Sequence, residues 1–124
     1  MKLSKLTDPQ FQVALRKLAS QELPLKGAFA IKGIVKKANE ELVKYDEVRN
    51  EALQRLGTKN EDGSLSKNES GSVDLSEENM QLFVKELGEM LSMEIHIGSL
   101  KASDLGDKIN LSANDLMALD VLIE

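Results

Sequence analysis

The feature that most constrains the fold is a run of residues between positions 31 and 56 that are spaced alternately by four and three. This spacing places all of them on one face of an α-helix. Seven of the eight are apolar or semi-apolar, Arg49 is the exception, and Gly57 is a natural end for the helix. The pattern predicts a helix from about Lys26 to Leu56, roughly 45 Å long. The stripe consists of Ile31, Val35, Ala38, Leu42, Tyr45, Arg49, Ala52 and Leu56.

A shorter helix is predicted before the long one. Thr7 is a favourable N-cap, and Pro9 is tolerated in the first turn of a helix. Pro24 lacks a backbone N–H and is therefore expected to end this helix. Residues 1–57 are thus predicted to form an N-terminal helical hairpin.

The second half of the chain predicts two helices separated by a short strand. Ser76 is an N-cap candidate for a helix over residues 76–91. Apolar and polar residues alternate over 93–97, which is the spacing of a strand. Ser112 and Asp115 match a capping box, so a short C-terminal helix is expected to follow them.

The segment between these halves, residues 58–75, is polar and rich in glycine and serine. Asp62 followed by Gly63 is a turn signal. The segment predicts a polar loop or a short hairpin with strands near 64–67 and 72–75. No repeat at a fixed period is expected anywhere in the chain.

Together these elements predict a mainly α fold with a minor β element, in which a long central amphipathic helix packs with shorter helices and one short strand or hairpin. Only three Phe and one Tyr occur, so the core is expected to be aliphatic. A single domain over residues 1–124 is predicted. It divides into the helical hairpin 1–57, the loop or hairpin 58–75, and a helix, short strand and C-terminal helix over 76–124.

Composition excludes several classes of function. The chain has no cysteine, which excludes disulfides, a thiolate zinc site and a cysteine nucleophile. No run of 18 apolar residues is present, so no membrane partner is expected, and the N-terminus lacks the apolar stretch of a signal peptide. We therefore expect a protein of the cytoplasm.

No motif indicates catalysis, so neither enzymatic activity nor a cofactor is expected. His96 is the only histidine, and a lone histidine on the polar face of a strand is usually solvated. Nucleic acid is also not expected as a partner. A basic set lies near the start of the long helix, but base-stacking aromatic residues are scarce and the net charge is −5. The basic set is Lys26, Lys32, Lys36 and Lys37.

One alternative is a calcium site in the loop 58–69. Its oxygen-bearing residues stand near the positions that an EF-hand loop uses, with Gly63 at the sixth position. Against this alternative, Thr58 supplies no carboxylate at the first position, and the residues after Glu69 are not those of a helix. The candidate ligands are Asn60, Asp62, Ser66 and Glu69.

The long helix offers a candidate interaction surface instead. The C-terminal half of the chain is too short to cover the whole stripe, so its later part is expected to contact a partner protein, either a second copy or a foreign protein. The candidate contact residues are Leu42, Tyr45, Arg49, Ala52 and Leu56.

The chain resembles a family of small uncharacterised proteins of tailed bacteriophages. The resemblance rests on Lys2-Leu3-Ser4, on Leu23-Pro24-Leu25-Lys26 before a long charged helix, on Glu61-Asp62-Gly63, on the acidic helix 76–91, and on the ending Leu111-Ser112-Ala113-Asn114-Asp115-Leu116. It implies a phage product that acts by protein–protein interaction, in virion assembly or an accessory role, with a host or virion protein as partner. The alternative it leaves open is an inhibitor of a host system, in host takeover or anti-defence, that uses an acidic surface. It implies the host cytoplasm or the virion as the location.

Overall fold

The computed structural model describes residues 1–124 and is mainly helical, as predicted. A long central helix runs without interruption from Leu25 to Leu56, which confirms the helix predicted from the stripe. No β-sheet forms, and no helix has both the length and the apolar composition to cross a membrane. The α-helices are α1 (Leu3–Leu6), α2 (Pro9–Ala19), α3 (Leu25–Leu56), α4 (Glu77–Leu91) and α5 (Ala113–Leu119), and 3-10 helices cover Ala102–Leu105 and Asp120–Leu122.

The chain contains two compact units that share α3. Unit 1 comprises residues 1–42 and 93–124, and unit 2 comprises residues 43–92. Unit 1 contains ten Lys/Arg and ten Asp/Glu, whereas unit 2 contains six Lys/Arg and eleven Asp/Glu. The net charge of −5 therefore arises in unit 2. The expectation of a single folding domain over residues 1–124 stays a prediction.

The start of α2 differs from the prediction by one residue. Asp8 is the N-cap of α2, and its Oδ1 accepts a hydrogen bond from the backbone N–H of Gln10 at 3.0 Å. Thr7 instead ends the short helix α1, because its backbone N–H donates to the carbonyl of Leu3 at 3.1 Å. A carboxylate and a threonine hydroxyl are comparable N-caps, so the sequence alone does not decide between adjacent candidates.

The predicted end of α2 at Pro24 is also wrong. The helix ends at Ala19, because Ser20 adopts the C-cap and its hydroxyl donates to the carbonyl of Lys17 at 2.7 Å. The side-chain amide of Gln21 donates to the same carbonyl at 3.1 Å. These hydrogen bonds satisfy the Lys17 carbonyl in the last turn, so the helix ends several residues before Pro24.

Unit 1 is built around an aliphatic core in which Phe11 is the only buried aromatic ring. Helix α3 contributes Ile31, Ile34 and Ala38, which follow the predicted helical spacing. Gly27 allows the 3-10 helix Ala102–Leu105 to approach α3, since a Cβ at this position would overlap the backbone carbonyl of Asp104. The other buried apolar residues of unit 1 are Leu3, Leu6, Ala14, Leu15, Leu18, Ile97, Leu100, Leu105, Leu119 and Leu122.

Helix α5 begins with the predicted capping box. The Ser112 hydroxyl accepts from the Asp115 N–H at 3.1 Å, and the Asp115 carboxylate accepts from the Ser112 N–H at 3.2 Å. Lys17 of α2 also pairs with Asp115 at 3.3 Å. The Ser112 backbone hydrogen bond, aided by Lys17, lowers the pKa of Asp115. This cluster therefore fixes α5 against α2 as well as starting the helix.

The predicted strand at 93–97 is reduced to one β-bridge, between Lys2 and Glu94. Backbone hydrogen bonds on either side, from Leu3 N to Met93 O and from Ile95 N to Met1 O, are 2.9 and 2.7 Å long. The pairing stops there because the partner segment turns into α1 at Leu3. The segment is extended as expected, but too little of it is paired to form a strand.

Unit 2 contains two tight hairpins between α3 and α4. In the first, the Asn60 N–H donates to Ser64 O at 2.8 Å, and in the second the Asn68 N–H donates to Ser72 O at 2.9 Å. The second matches the predicted hairpin, and the first was not predicted. Each turn is closed by a glycine with positive φ, +87° at Gly63 and +83° in its counterpart eight residues later.

The hairpins reveal a repeat with a period of eight, which corrects the expectation that no repeat occurs. Residues 60–67 read Asn-Glu-Asp-Gly-Ser-Leu-Ser-Lys, and residues 68–75 read Asn-Glu-Ser-Gly-Ser-Val-Asp-Leu. Three backbone hydrogen bonds of 2.8 to 2.9 Å link the equivalent positions Thr58, Ser66 and Asp74 in a closed ring. Thr58 donates to Asp74, Asp74 donates to Ser66, and Ser66 donates to Thr58.

The repeat also supplies two apolar side chains that lie close to Gly57, just after the end of α3. A Cβ at Gly57 would lie 2.7 Å from the side chain of Leu65 and 2.8 Å from that of Val73. These two residues occupy the same position in the two copies of the repeat. Helix α4 contacts the C-terminal end of α3, because the Asn79 side chain donates a hydrogen bond to the Leu56 carbonyl oxygen at 3.0 Å.

We expect Gly63→Ala to destabilise the protein by about 1–2 kcal/mol, because alanine disfavours the left-handed backbone that the turn requires. No side chain lies within 4 Å of the added methyl group, so the loss would report the backbone conformation alone. Gly63→Asn is the matched control and should cost less, since asparagine tolerates this region. Urea denaturation measures both changes, and equal losses would contradict the argument.

Candidate functional site

The predicted interaction stripe on α3 is partly covered within the chain. Leu56 is buried, and Leu42, Tyr45, Arg49 and Ala52 are half-buried. Leu56 is therefore unavailable to a partner in this structure. Whether the four half-buried residues contact a partner stays a prediction.

The two most exposed large apolar side chains of the molecule lie at the other end of α3. Leu25 is 90% exposed and Phe29 is 83% exposed. They stand four residues apart and so lie one above the other on the helix. Gly33 continues the same ridge after another four residues, and a Cβ at this position would meet no atom within 4 Å.

Lysines surround this ridge. Lys26, Lys32 and Lys36 are exposed, and none of them forms an ion pair. Lys37, by contrast, pairs with Glu41 at 3.5 Å. We define the basic apolar face as Leu25, Lys26, Phe29, Lys32, Gly33 and Lys36.

The position of this face follows from the register of α3. The buried residues Ile31, Ile34 and Ala38 define the side of the helix that faces the core. Leu25 and Phe29 do not follow the spacing of these buried residues, so they project from the opposite side of the helix. Together they present roughly 300 Å² of apolar surface, which approaches the largest patch on a typical monomer.

A second exposed ridge lies on α4 in unit 2. Met80 is 44% exposed and Val84 is 59% exposed, and Gly88 follows at the same spacing of four, where a Cβ would meet no atom within 4 Å. Glu77 lies on the same side of the helix, whereas Glu78 projects to the opposite side, and neither forms an ion pair. We define the α4 ridge as Met80, Val84 and Gly88.

The proposed calcium ligands are divided between the two hairpins. Asp62 accepts hydrogen bonds from the Ser64 hydroxyl and backbone N–H, at 2.6 and 3.0 Å, which lower the pKa of this carboxyl. The Ser66 hydroxyl donates to Asp74 at 2.7 Å. Glu69 belongs to the second turn, and no three acidic or histidine side chains are grouped to hold a metal.

We expect an excess of calcium chloride to leave the melting temperature unchanged. Asp62 Oδ1 and the Ser66 hydroxyl already have hydrogen-bond partners, and binding to the native state would have to raise the melting temperature. Differential scanning fluorimetry measures this, with magnesium chloride at equal concentration as the control for ionic strength. A rise with calcium alone would restore the alternative of a calcium site.

The lone histidine lies beside a small pocket, and no hydrogen bond joins it to the nearby Ser99 hydroxyl or Glu124 carboxylate. His96 and Ser99 line a pocket of about 320 Å³ in unit 1. The Ser99 hydroxyl donates directly to Glu124 at 2.9 Å. In a nucleophilic triad the histidine stands between the hydroxyl and the carboxylate, and that order is not found here.

Comparison with known proteins adds no relative: no protein family, curated protein or solved structure matches the chain.

The basic set Lys26, Lys32, Lys36 and Lys37 was evident from the sequence, but its association with an exposed Phe29 was not. The available signal was that Leu25 and Phe29 fall outside the register of the apolar stripe.

Proposed function

We propose that this chain is a small non-enzymatic protein of phage type that acts by binding another protein through the basic apolar face of α3. The observation that carries the proposal is the exposure of Leu25 and Phe29, at 90% and 83%. The phage origin rests on the resemblance described above. The corresponding roles are virion assembly or an accessory function, in the host cytoplasm or the virion.

Physical arguments support this assignment of the face. Contiguous exposed apolar patches on folded proteins commonly mark interaction sites. Aromatic residues and apolar anchors ringed by charged side chains resemble the centre and rim of protein interfaces. Neither Leu25 nor Phe29 is buried in the core, and both leave most of their apolar surface in contact with solvent.

A photo-cross-linking experiment tests the proposal. We expect a photoreactive phenylalanine analogue at position 29 to form adducts with a protein in lysates of infected bacteria. The same analogue at Gln54, an exposed polar position of α3, serves as the matched control and should form none. Adding Leu25→Ser should reduce the adducts without lowering the melting temperature, because Leu25 is 90% exposed. Equal labelling from positions 29 and 54 would contradict the proposal.

The concentration of charge in unit 2 favours a second candidate function. Residues 43–92 carry a net charge of −5, whereas the rest of the chain is neutral. A compact acidic surface of this kind suits an inhibitor that occupies a basic site of a host protein, in host takeover or anti-defence. Binding of that type would weaken steeply between low and high salt, and a salt-independent affinity would eliminate it.

A further inference from the structure

We propose that the bond between Asp62 and Gly63 is a site of spontaneous covalent modification, at which aspartate converts to isoaspartate, and that the Ser64 hydroxyl slows this conversion in the native turn. Asp62 is the only Asp or Asn of the chain that is followed by glycine. Glycine has no side chain to hinder an approach to its backbone nitrogen. The site lies in the first hairpin and does not depend on the function proposed for the basic apolar face.

The reaction needs no enzyme and no cofactor. The backbone nitrogen of Gly63 attacks the side-chain carboxyl carbon Cγ of Asp62, which reacts in its neutral acid form. A C–N bond forms, the C–OH bond breaks, and the N–H proton leaves with the hydroxyl as water, which gives a five-membered succinimide. Water then adds to the α-carbonyl carbon and breaks its bond to the Gly63 nitrogen. The chain is now linked through Cγ, as isoaspartate.

The native turn keeps the carboxyl in its less reactive, ionised form. Asp62 Oδ1 accepts hydrogen bonds from the Ser64 hydroxyl at 2.6 Å and from the Ser64 backbone N–H at 3.0 Å. The Asn60 side-chain amide donates to the same hydroxyl at 3.1 Å and so fixes its position. These bonds, the hydroxyl first among them, lower the pKa of Asp62, so less of the neutral acid is present near neutral pH.

The attacking nitrogen is also engaged in the turn. The Gly63 N–H donates to the Asn60 carbonyl at 3.0 Å. The attack removes this hydrogen, so the turn loses that hydrogen bond whenever the succinimide forms. Asp62, Gly63 and Ser64 are all exposed, so the water that hydrolyses the succinimide has free access. The turn therefore slows the first step and leaves the second unhindered.

The second hairpin has the same turn without the reactive carboxyl. Ser70 occupies the position of Asp62, and Gly71 follows it with a φ of +83°. Asn68 Oδ1 accepts from the Ser70 hydroxyl at 2.7 Å and from the Ser72 N–H at 3.1 Å. A serine side chain has no carbonyl carbon for the nitrogen to attack. The two copies of the repeat therefore separate the chemistry of Asp62 from the geometry of the turn.

Prolonged incubation of the purified chain tests the proposal, at a temperature below the melting temperature of every variant. Labelling with an isoaspartyl methyltransferase measures the modified fraction, and peptide mapping by mass spectrometry locates it. We expect Ser64→Ala to accumulate isoaspartate at position 62 about three- to tenfold faster than the native chain, because the carboxylate loses its shorter hydrogen bond. Ser64→Thr retains a hydroxyl and should react at the native rate.

Ser72→Ala is the matched control, since Ser72 is the equivalent of Ser64 in the second hairpin. It should leave the rate at position 62 unchanged. Asp62→Ser should abolish labelling of this turn. In guanidinium chloride the native chain and Ser64→Ala should react at the same rate, because unfolding removes the protection. Equal rates in the folded state would overturn the proposal, as would labelling of the turn that persists in Asp62→Ser.

Discussion

Gly27→Ala should destabilise the protein by about 3 kcal/mol or more, although it adds only one methyl group. The new Cβ would overlap the carbonyl oxygen of Asp104, which belongs to the backbone of the 3-10 helix Ala102–Leu105. A backbone atom cannot move aside as the end of a flexible side chain can. The 3-10 helix would have to separate from α3, and the burial of Leu105 would be lost with it.

Gly33→Ala is the matched control in the same helix. Its Cβ meets no atom within 4 Å, and alanine favours the helix over glycine, so we expect this variant to gain about 1 kcal/mol. The free energy of unfolding in urea, with far-ultraviolet circular dichroism as the probe, measures both. A Gly27→Ala variant that keeps or gains stability, as Gly33→Ala should, would show that the approach of the 3-10 helix to α3 is not tight.

Phe11→Ala is expected to cost about 3–5 kcal/mol, because the ring is completely buried in unit 1 and its removal leaves a cavity. The same substitution at Phe29 should change the free energy of unfolding by no more than about 0.5 kcal/mol. That ring is 83% exposed, so little apolar contact is lost within the chain.

The comparison of these two variants also tests the functional assignment. Phe29→Ala should weaken binding of the partner protein to the basic apolar face without lowering the melting temperature. Phe11→Ala should lower the melting temperature. Thermal unfolding and measurement of partner binding on the same variants separate the two effects. A large loss of stability for Phe29→Ala would mean that the ring serves the fold and would remove the main support for the basic apolar face.

Elements with strong local signals were predictable from the sequence. The stripe of α3 depends on helical periodicity over many turns, so its length and end were predicted to within one residue. The capping box at Ser112 and the N-cap at Ser76 are local hydrogen-bond patterns, and both form as expected. The aliphatic nature of the core followed from the scarcity of aromatic residues.

Features that depend on tertiary context were not predictable in the same way. Adjacent capping residues at the start of α2 are nearly equivalent until α1 packs beside them, and the strand at 93–97 is limited by the brevity of its partner. The exposure of Phe29 depends on which side of α3 the core covers. The repeat of eight was present in the sequence, but its substitutions, such as Leu65 to Val73, concealed the equivalence until both hairpins showed the same hydrogen bonds.

The closed ring at Thr58, Ser66 and Asp74 has a consequence for aggregation. Exposed hairpins normally present a free edge of N–H and C=O groups, on which another extended chain can add. At these three positions each N–H and each C=O is already used within the ring, so the central edges of the hairpins have no free pair to offer. The ring of three hydrogen bonds is closed, so the addition of a further copy of the repeat would require one of these bonds to break. The hairpins are therefore protected from edge-to-edge growth at these three positions.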